Sequence, residues 1–185
     1  MSEVNTAEVN DTFAKVIEPD TVRLERILPG PIERVWAYLT ESDKRGKWFA
    51  SGAIEPRVGG KAELIFQHSD LSSEKTYPEK HKDKAAGMRM TARVTRYEPP
   101  HVLAWVGAPG EGSEVIFELT PRGSDVLLVL THRRLANRAT VLGVSGGWHA
   151  HLGILEDNLN GVEPRPFWTT HAKLEAEYKR RIPGV

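Results

Sequence analysis

His132 and His151 are the two side chains of this chain best placed to move a proton or orient a ligand. His132 ends a run in which Val126, Leu128 and Leu130 alternate inward, so its ring belongs on the dry face of a strand. His151 lies at the edge of an apolar helical stripe, about 60° around the axis from Trp148. Two imidazoles meeting near one end of a dry pocket would have tunable pKa values and could orient a ligand or move a proton as general base. Taken singly, each also reads as a hydrogen-bonded core or rim histidine. A metal site is not expected: His149 and His151 stand about 200° apart on a helix, and neither HExxH nor Cys/His spacing occurs. Gly143-Val144-Ser145-Gly146-Gly147 spells G-x-S-x-G, with Asp157 and His171 following in hydrolase order. A nucleophile elbow needs a parallel strand feeding a helix, however, and the residues before it are mixed. Ser145 is instead expected to cap a helix.

That helix, Ser145 to Gly161, places Trp148, Leu152, Leu155 and Leu159 within about 60° of one another and ends at a glycine suited to a left-handed C′ position. The stripe must bury against something. Thr21 to Leu28 alternates as a strand and stops at Pro29-Gly30-Pro31. Ile32, Val35, Trp36 and Leu39 then recur at helical spacing, and Ser42-Asp43 can cap a second short helix through Lys47, returning Trp48 and Phe49 to the core. Six strands are predicted next, over 53–57, 61–66, 88–97, 102–106, 114–120 and 126–132, joined by glycine- and proline-rich turns. Short connections make them an antiparallel meander. Its dry face carries Ala62, Leu64, Phe66, Val115, Phe117 and Leu119, while Arg89, Thr91, Arg93 and Thr95 face water. The long helix is the element that can cover the dry face. The predicted class is α+β, a helix-grip fold in which a curved antiparallel sheet wraps a long C-terminal helix, with two short helices after the first strand and one extra helix at the C-terminus.

Residues 1–20 read as a polar tail with room for an edge strand at Phe13 to Ile17, 21–161 as the domain, and 162–185 as a helical extension packed on the outside. Gln67 to Gly87 is a long charged loop, either a solvated insertion or a lid over a cavity mouth. Equal numbers of acidic and basic residues, 25 each, leave no electrostatic footprint for nucleic acid or an anionic membrane. No apolar run approaches the ~18 residues of a membrane span, no signal sequence is visible, and cysteine is absent, which together predict a cytoplasmic protein without disulfides. Trp168 reads as an exposed aromatic compatible with a homodimer.

Several local words, Val35-Trp36, Lys47-Trp48-Phe49, Val58-Gly59-Gly60-Lys61, Tyr97 to Leu103 and Gly147 to Leu152, resemble the START-like (SRPBCC, Bet v 1-like) superfamily. The similar branch is the one related to the C-terminal domain of the activator of Hsp90 ATPase, polyketide cyclase/dehydrase-like, and the match spans about 21–161. The resemblance implies a hollow between helix and sheet that binds a small hydrophobic molecule. Its expected lining is Trp36, Trp48, Phe49, Phe66, Trp105, Phe117, His132, Trp148, His151, Leu152 and Leu155. A cyclase- or hydrolase-type enzyme using His132 or His151, and an interaction module for a chaperone of the Hsp90 type active in stress response, are the alternatives; no cofactor is implied. A void of about 300 Å³ would cost about 7 kcal/mol if left empty in a closed core, so a large hollow is expected to admit ligand or water.

Overall fold

The computed structural model describes residues 5–182. Helix α1 (Thr6–Asn10) and strand β1 (Lys15–Glu18) precede strand β2 (Thr21–Pro29) and two helices, α2 (Ile32–Thr40) and α3 (Ser42–Arg45). Strands β3 (Lys61–Phe66), β4 (Met88–Glu98), β5 (Val102–Val106), β6 (Glu114–Arg122) and β7 (Asp125–Arg133) follow, then helices α4 (Arg138–Asn160) and α5 (Phe167–Arg181). All neighbours are antiparallel, in the order β1-β2-β7-β6-β5-β4-β3, so the first core strand closes beside the last strand of the meander. This is the predicted helix-grip architecture: the inner face of the sheet is covered by α4, whose Trp148, Leu152, Leu155 and Leu159 are all buried.

Several local expectations need correction. Residues 53–57 are not a strand. They pair with β3 through the isolated bridge Ile54↔Ala62, and a second bridge, Ser51↔Ile65, lies just before them. Gly52 has φ of 109° and sits so close to the Glu63 carbonyl that a Cβ would lie 2.3 Å from it, so the backbone leaves strand geometry there. Ser42 does not cap α3; its hydroxyl accepts from the Gly52 N–H at 2.8 Å, and the buried Arg45 guanidinium ties the carbonyls of Leu39, Thr40 and Gly52 together.

Helix α4 begins two turns before Ser145, at a cap where the Asn137 side chain accepts from Thr140 N–H. Ser145 lies inside the helix, fully buried, donating to the Val141 carbonyl at 2.7 Å. The helix ends as predicted, with Gly161 at φ 69°. The early residues hide their helicity because Gly143, Gly146 and Gly147 have poor helix propensity, which tertiary packing overrides. Beside Gly146 the backbone of α5 approaches at Glu175, 3.9 Å from where a Cβ would stand.

Within residues 5–20 the chain is tied to the domain rather than trailing from it. Asn10 is buried, donates to the Ile27 carbonyl at 2.9 Å and to Glu156 at 2.7 Å, and accepts from the Ile27 N–H at 2.7 Å, so α1 is fastened to β2 and α4. At the other end, α5 packs along α4. Asp157 receives the Arg165 guanidinium through both oxygens, at 2.6 and 2.7 Å, and also its backbone N–H at 2.8 Å, fixing the turn between the helices. Trp168, expected on the surface, is 3% exposed.

Candidate functional site

Beneath the middle of α4 the core is solid. Trp148 stacks on Phe49 with centroids 4.7 Å apart and meets Phe117 edge-on at 5.7 Å; Trp105 and Trp48 close around Phe117 at 5.2 and 6.4 Å. Their indole N–H groups are spent internally: Trp48 donates to the Tyr38 carbonyl, Trp105 to that of Ala108 and Trp148 to His132. Of the side chains expected to line a hollow, Trp48, Trp105, Phe117, Leu152 and Leu155 belong to this packed region. Trp36 packs at the far side of α2 against Tyr97, 5.5 Å between centroids.

A cavity of about 560 Å³ lies at one end of this core, between the first half of α4, the start of α5, the 67–87 insertion and the β4 residues Met88 and Met90. Phe49, Phe66, Trp148 and His151 from the predicted set line it. The room comes from α4. Thr140, Gly143, Val144, Gly147, Trp148 and His151 recur at helical spacing along one face, and at Gly143 and Gly147 a Cβ would meet nothing within 4 Å. Two positions without side chains, one turn apart, leave the hollow that larger residues would fill. It opens to solvent beside Ala139, Gly143 and Lys179, which are exposed, and so escapes the penalty of a sealed void.

The insertion and α5 supply the far wall. Residues 68–70 and 79–86 form short 3₁₀ turns. Glu74 accepts from the N–H and hydroxyl of Thr169, Ser72 accepts from the Phe167 N–H, and Lys80 pairs with Glu175. These bonds hold 67–87 across the start of α5, in the position of a lid. Behind it the rings run together: His68 lies 4.9 Å from Trp168 and 5.0 Å from Phe167, His151 lies 4.8 Å from Phe167, and His81 stacks on Trp168 at 4.8 Å and 21°. His68, His81, Phe167, Trp168 and His171 all line the cavity, and none of them is among the lining residues expected from sequence. A signal existed in Phe167, Trp168 and His171, one helical face opening α5. Only the fold brings that face to residues a hundred positions earlier.

The two candidate proton carriers do not meet. Trp148 stands against both, 6.2 Å from His132 and 6.4 Å from His151 between centroids. An indole N–H can only donate, so at His132 it requires Nδ1 as acceptor at 3.0 Å, which places the proton on Nε2, donated to Ser113 Oγ at 2.9 Å. The Ser113 hydroxyl in turn donates to the carbonyl of Pro109 or Gly110, both at 2.8 Å. His132 is thus a neutral link in a directed chain with its lone pair occupied, and burial pushes its pKa down to about 4. His151 donates Nδ1–H to the Trp48 carbonyl at 2.7 Å, leaving Nε2 as acceptor in the cavity wall. Burial, reinforced by His68, takes its pKa down to about 3, which makes it a weak base. His68 and His171 are each lowered to about 4, again chiefly by burial, and His81 is lowered for the same reason. All line the cavity as neutral rings near pH 7.

The G-x-S-x-G residues form no triad: Ser145 is enclosed in α4, Asp157 is held by Arg165, and His171 stands on α5 at the cavity. Among the described residues no three His, Asp or Glu side chains converge to hold a metal ion, and no helix is long and apolar enough to cross a membrane.

A curved seven-stranded antiparallel sheet gripping a long helix, with its hollow at one end, defines a protein of the START-like superfamily. More narrowly, residues 29–160 match the family described as activator of Hsp90 ATPase homolog 1-like protein, and the chain belongs to that family. Its fold is similar to the solution structure of the protein encoded by gene BPP1335 of Bordetella parapertussis, at 45% identity and TM-score 0.79 over 92% of this chain and 91% of that one. It is similar also to CalU16 of Micromonospora echinospora, 20% identical with TM-score 0.65 over 89% of each chain. A conserved protein of unknown function from Enterococcus faecalis, EF2215, is 20% identical, with TM-score 0.67 over 96% of each chain. No curated protein matches the chain.

Proposed function

We propose that this protein binds a small, predominantly apolar molecule in the cavity between the first half of α4, α5 and the 67–87 insertion. The observation that carries this reading is the pair Gly143 and Gly147: a helix that buries Trp148 and Leu152 farther along keeps its cavity face bare at two successive turns. Helix propensity alone would favour almost any other residue at both positions by up to about 1 kcal/mol. The walls suit an aromatic or aliphatic guest, with Phe49, Phe66, Met88, Met90 and Phe167 offering ring faces and adaptable thioethers. A volume of this size is ordinary for a small-molecule site. Acid–base catalysis gains no comparable support, because the lone pair of His132 is occupied and His151 is a weak base without a partner acid.

The test is Gly147→Leu. The new side chain meets open space and enters the cavity, so the variant should fold with unchanged or slightly raised stability and lose binding of the neutral fluorescent probe N-phenyl-naphthylamine. Wild-type protein that fails to enhance the probe's fluorescence, or a variant that binds it as well as wild type, overturns the reading.

A further inference from the structure

Polar groups on the α5 side of the cavity are unevenly satisfied. The indole N–H of Trp168 is buried and has no acceptor among the described residues, although the other buried indoles of the core all have one. The Nε2 atom of His81, whose ring stacks on Trp168, is likewise buried without a partner. An indole N–H is an obligate donor, and a buried donor left unpaired is uncommon in a native fold. Neutral imidazole can place its proton on either nitrogen, so His81 can present a second donor beside the first.

Charge on this wall is also uneven. Glu175 is the only carboxylate lining the cavity among the described residues, and it is already paired with Lys80 and Lys179. Lys84 lines the cavity and pairs with no carboxylate among the described residues. Its ammonium group is close enough to depress the basicity of His68, His81, His151 and His171, which burial already keeps neutral. The wall therefore offers two unspent N–H donors beside one uncompensated cation. Other lining residues, Phe49, Phe66, Met88 and Met90, are apolar. Trp168 and His171 lie beyond residues 29–160, so this polar end joins a segment outside the stretch that matches the family to His81 and Lys84 within it.

We propose that the ligand is an apolar carboxylate, its hydrocarbon body against Phe49, Phe66 and the two methionines and its carboxylate accepting from Trp168 Nε1 and His81 Nε2 beside the Lys84 ammonium. The proposal rests on the apolar-binding reading above and adds the sign and place of the polar group. A carboxylate accepts in several directions at once, which suits two donors carried on stacked rings, and charge-assisted bonds are stronger than neutral ones.

The experiment titrates full-length protein by calorimetry with two matched pairs, naphthoic acid against naphthamide and decanoate against decanol, near pH 7.5. The acids should bind at least about tenfold tighter than their neutral partners. Lys84→Gln should erase most of that preference, and Trp168→Phe, which keeps the ring, should weaken the acids by about tenfold. In a ¹H–¹⁵N spectrum of the wild type, the indole signal missing from Trp168→Phe should move downfield when the acid binds, a readout independent of how well the variants fold. Equal binding of acid and neutral partner, or an unmoved Trp168 indole signal, overturns the carboxylate assignment while leaving apolar binding intact. Failure of all four compounds to bind at millimolar concentration overturns both.

Discussion

Protonating His132 should unfasten the core, and the size of the effect follows from its surroundings. The ring is fully buried, accepts from Trp148 at Nδ1 and donates to Ser113 at Nε2, so only the neutral form fits both partners. Its pKa falls from the ordinary 6.5 to about 4 in the folded chain. Above about pH 6.5 neither folded nor unfolded state holds the proton, and the residue adds no pH dependence. As pH drops below that value the unfolded chain takes up the proton and the folded chain does not, so stability falls continuously until the folded pKa is reached, and levels off below it. At pH ~5 the difference amounts to about 2 kcal/mol from this residue alone. Urea unfolding of wild type and His132→Gln at about pH 7.5 and 5 isolates it. The glutamine can accept and donate but does not titrate. The variant is less stable at neutral pH, by about 1–2 kcal/mol for imperfect hydrogen bonds, yet between the two pH values it should lose about 2 kcal/mol less than wild type. His68, His149, His151 and His171, all lowered mainly by burial, contribute to both proteins and cancel in the comparison. Identical losses in the two proteins would show that His132 is not held neutral by Trp148 and burial.

Other consequences are open to direct measurement. Asn10→Ala removes two buried hydrogen bonds to Ile27 and a half-buried one to Glu156 and should cost about 2 kcal/mol in urea unfolding; a cost below about half a kcal/mol would mean that α1 is not fastened to the domain. Asp157→Asn breaks the charge-assisted clamp on Arg165 and should lower stability by about 2 kcal/mol while speeding proteolysis between α4 and α5, and unchanged cleavage would refute the role given to the clamp. Gly161→Ala forces a side chain into the left-handed region at φ 69°, where no neighbour lies within 4 Å of the new Cβ. The cost should be backbone strain alone, about 1 kcal/mol, with ligand binding unaltered.

Much of the scaffold was legible because its signals are local. Alternation together with the glycine- and proline-rich turns identified β2 to β7, the spacing of Trp148, Leu152, Leu155 and Leu159 identified the buried face of α4, and Gly161 marked its end. What failed locally failed for identifiable reasons. Gly143, Gly146 and Gly147 disguised the first two turns of α4, because glycine has poor intrinsic helix propensity. Asn10 looked like part of a polar tail because its partners, Ile27 and Glu156, are far away in sequence.

The candidate site was only half legible. Phe49, Phe66, Trp148 and His151 belong to elements whose buried faces follow from periodicity, so their place near a cavity could be anticipated. His68, His81, Lys84, Trp168 and His171 come from an insertion without periodicity and from a helix that reads as amphipathic and external. A side chain's type and spacing determine which face of its own element it occupies, and to that extent the sequence alone decided the sheet, the covering helix and the dry interior. Which faces from distant segments meet, and whether Trp168 and His81 find partners there, depends on how α5 and the insertion settle against α4. Only the tertiary structure decides that, since hydrogen-bond satisfaction and cavity volume are properties of the assembled packing and of no single segment.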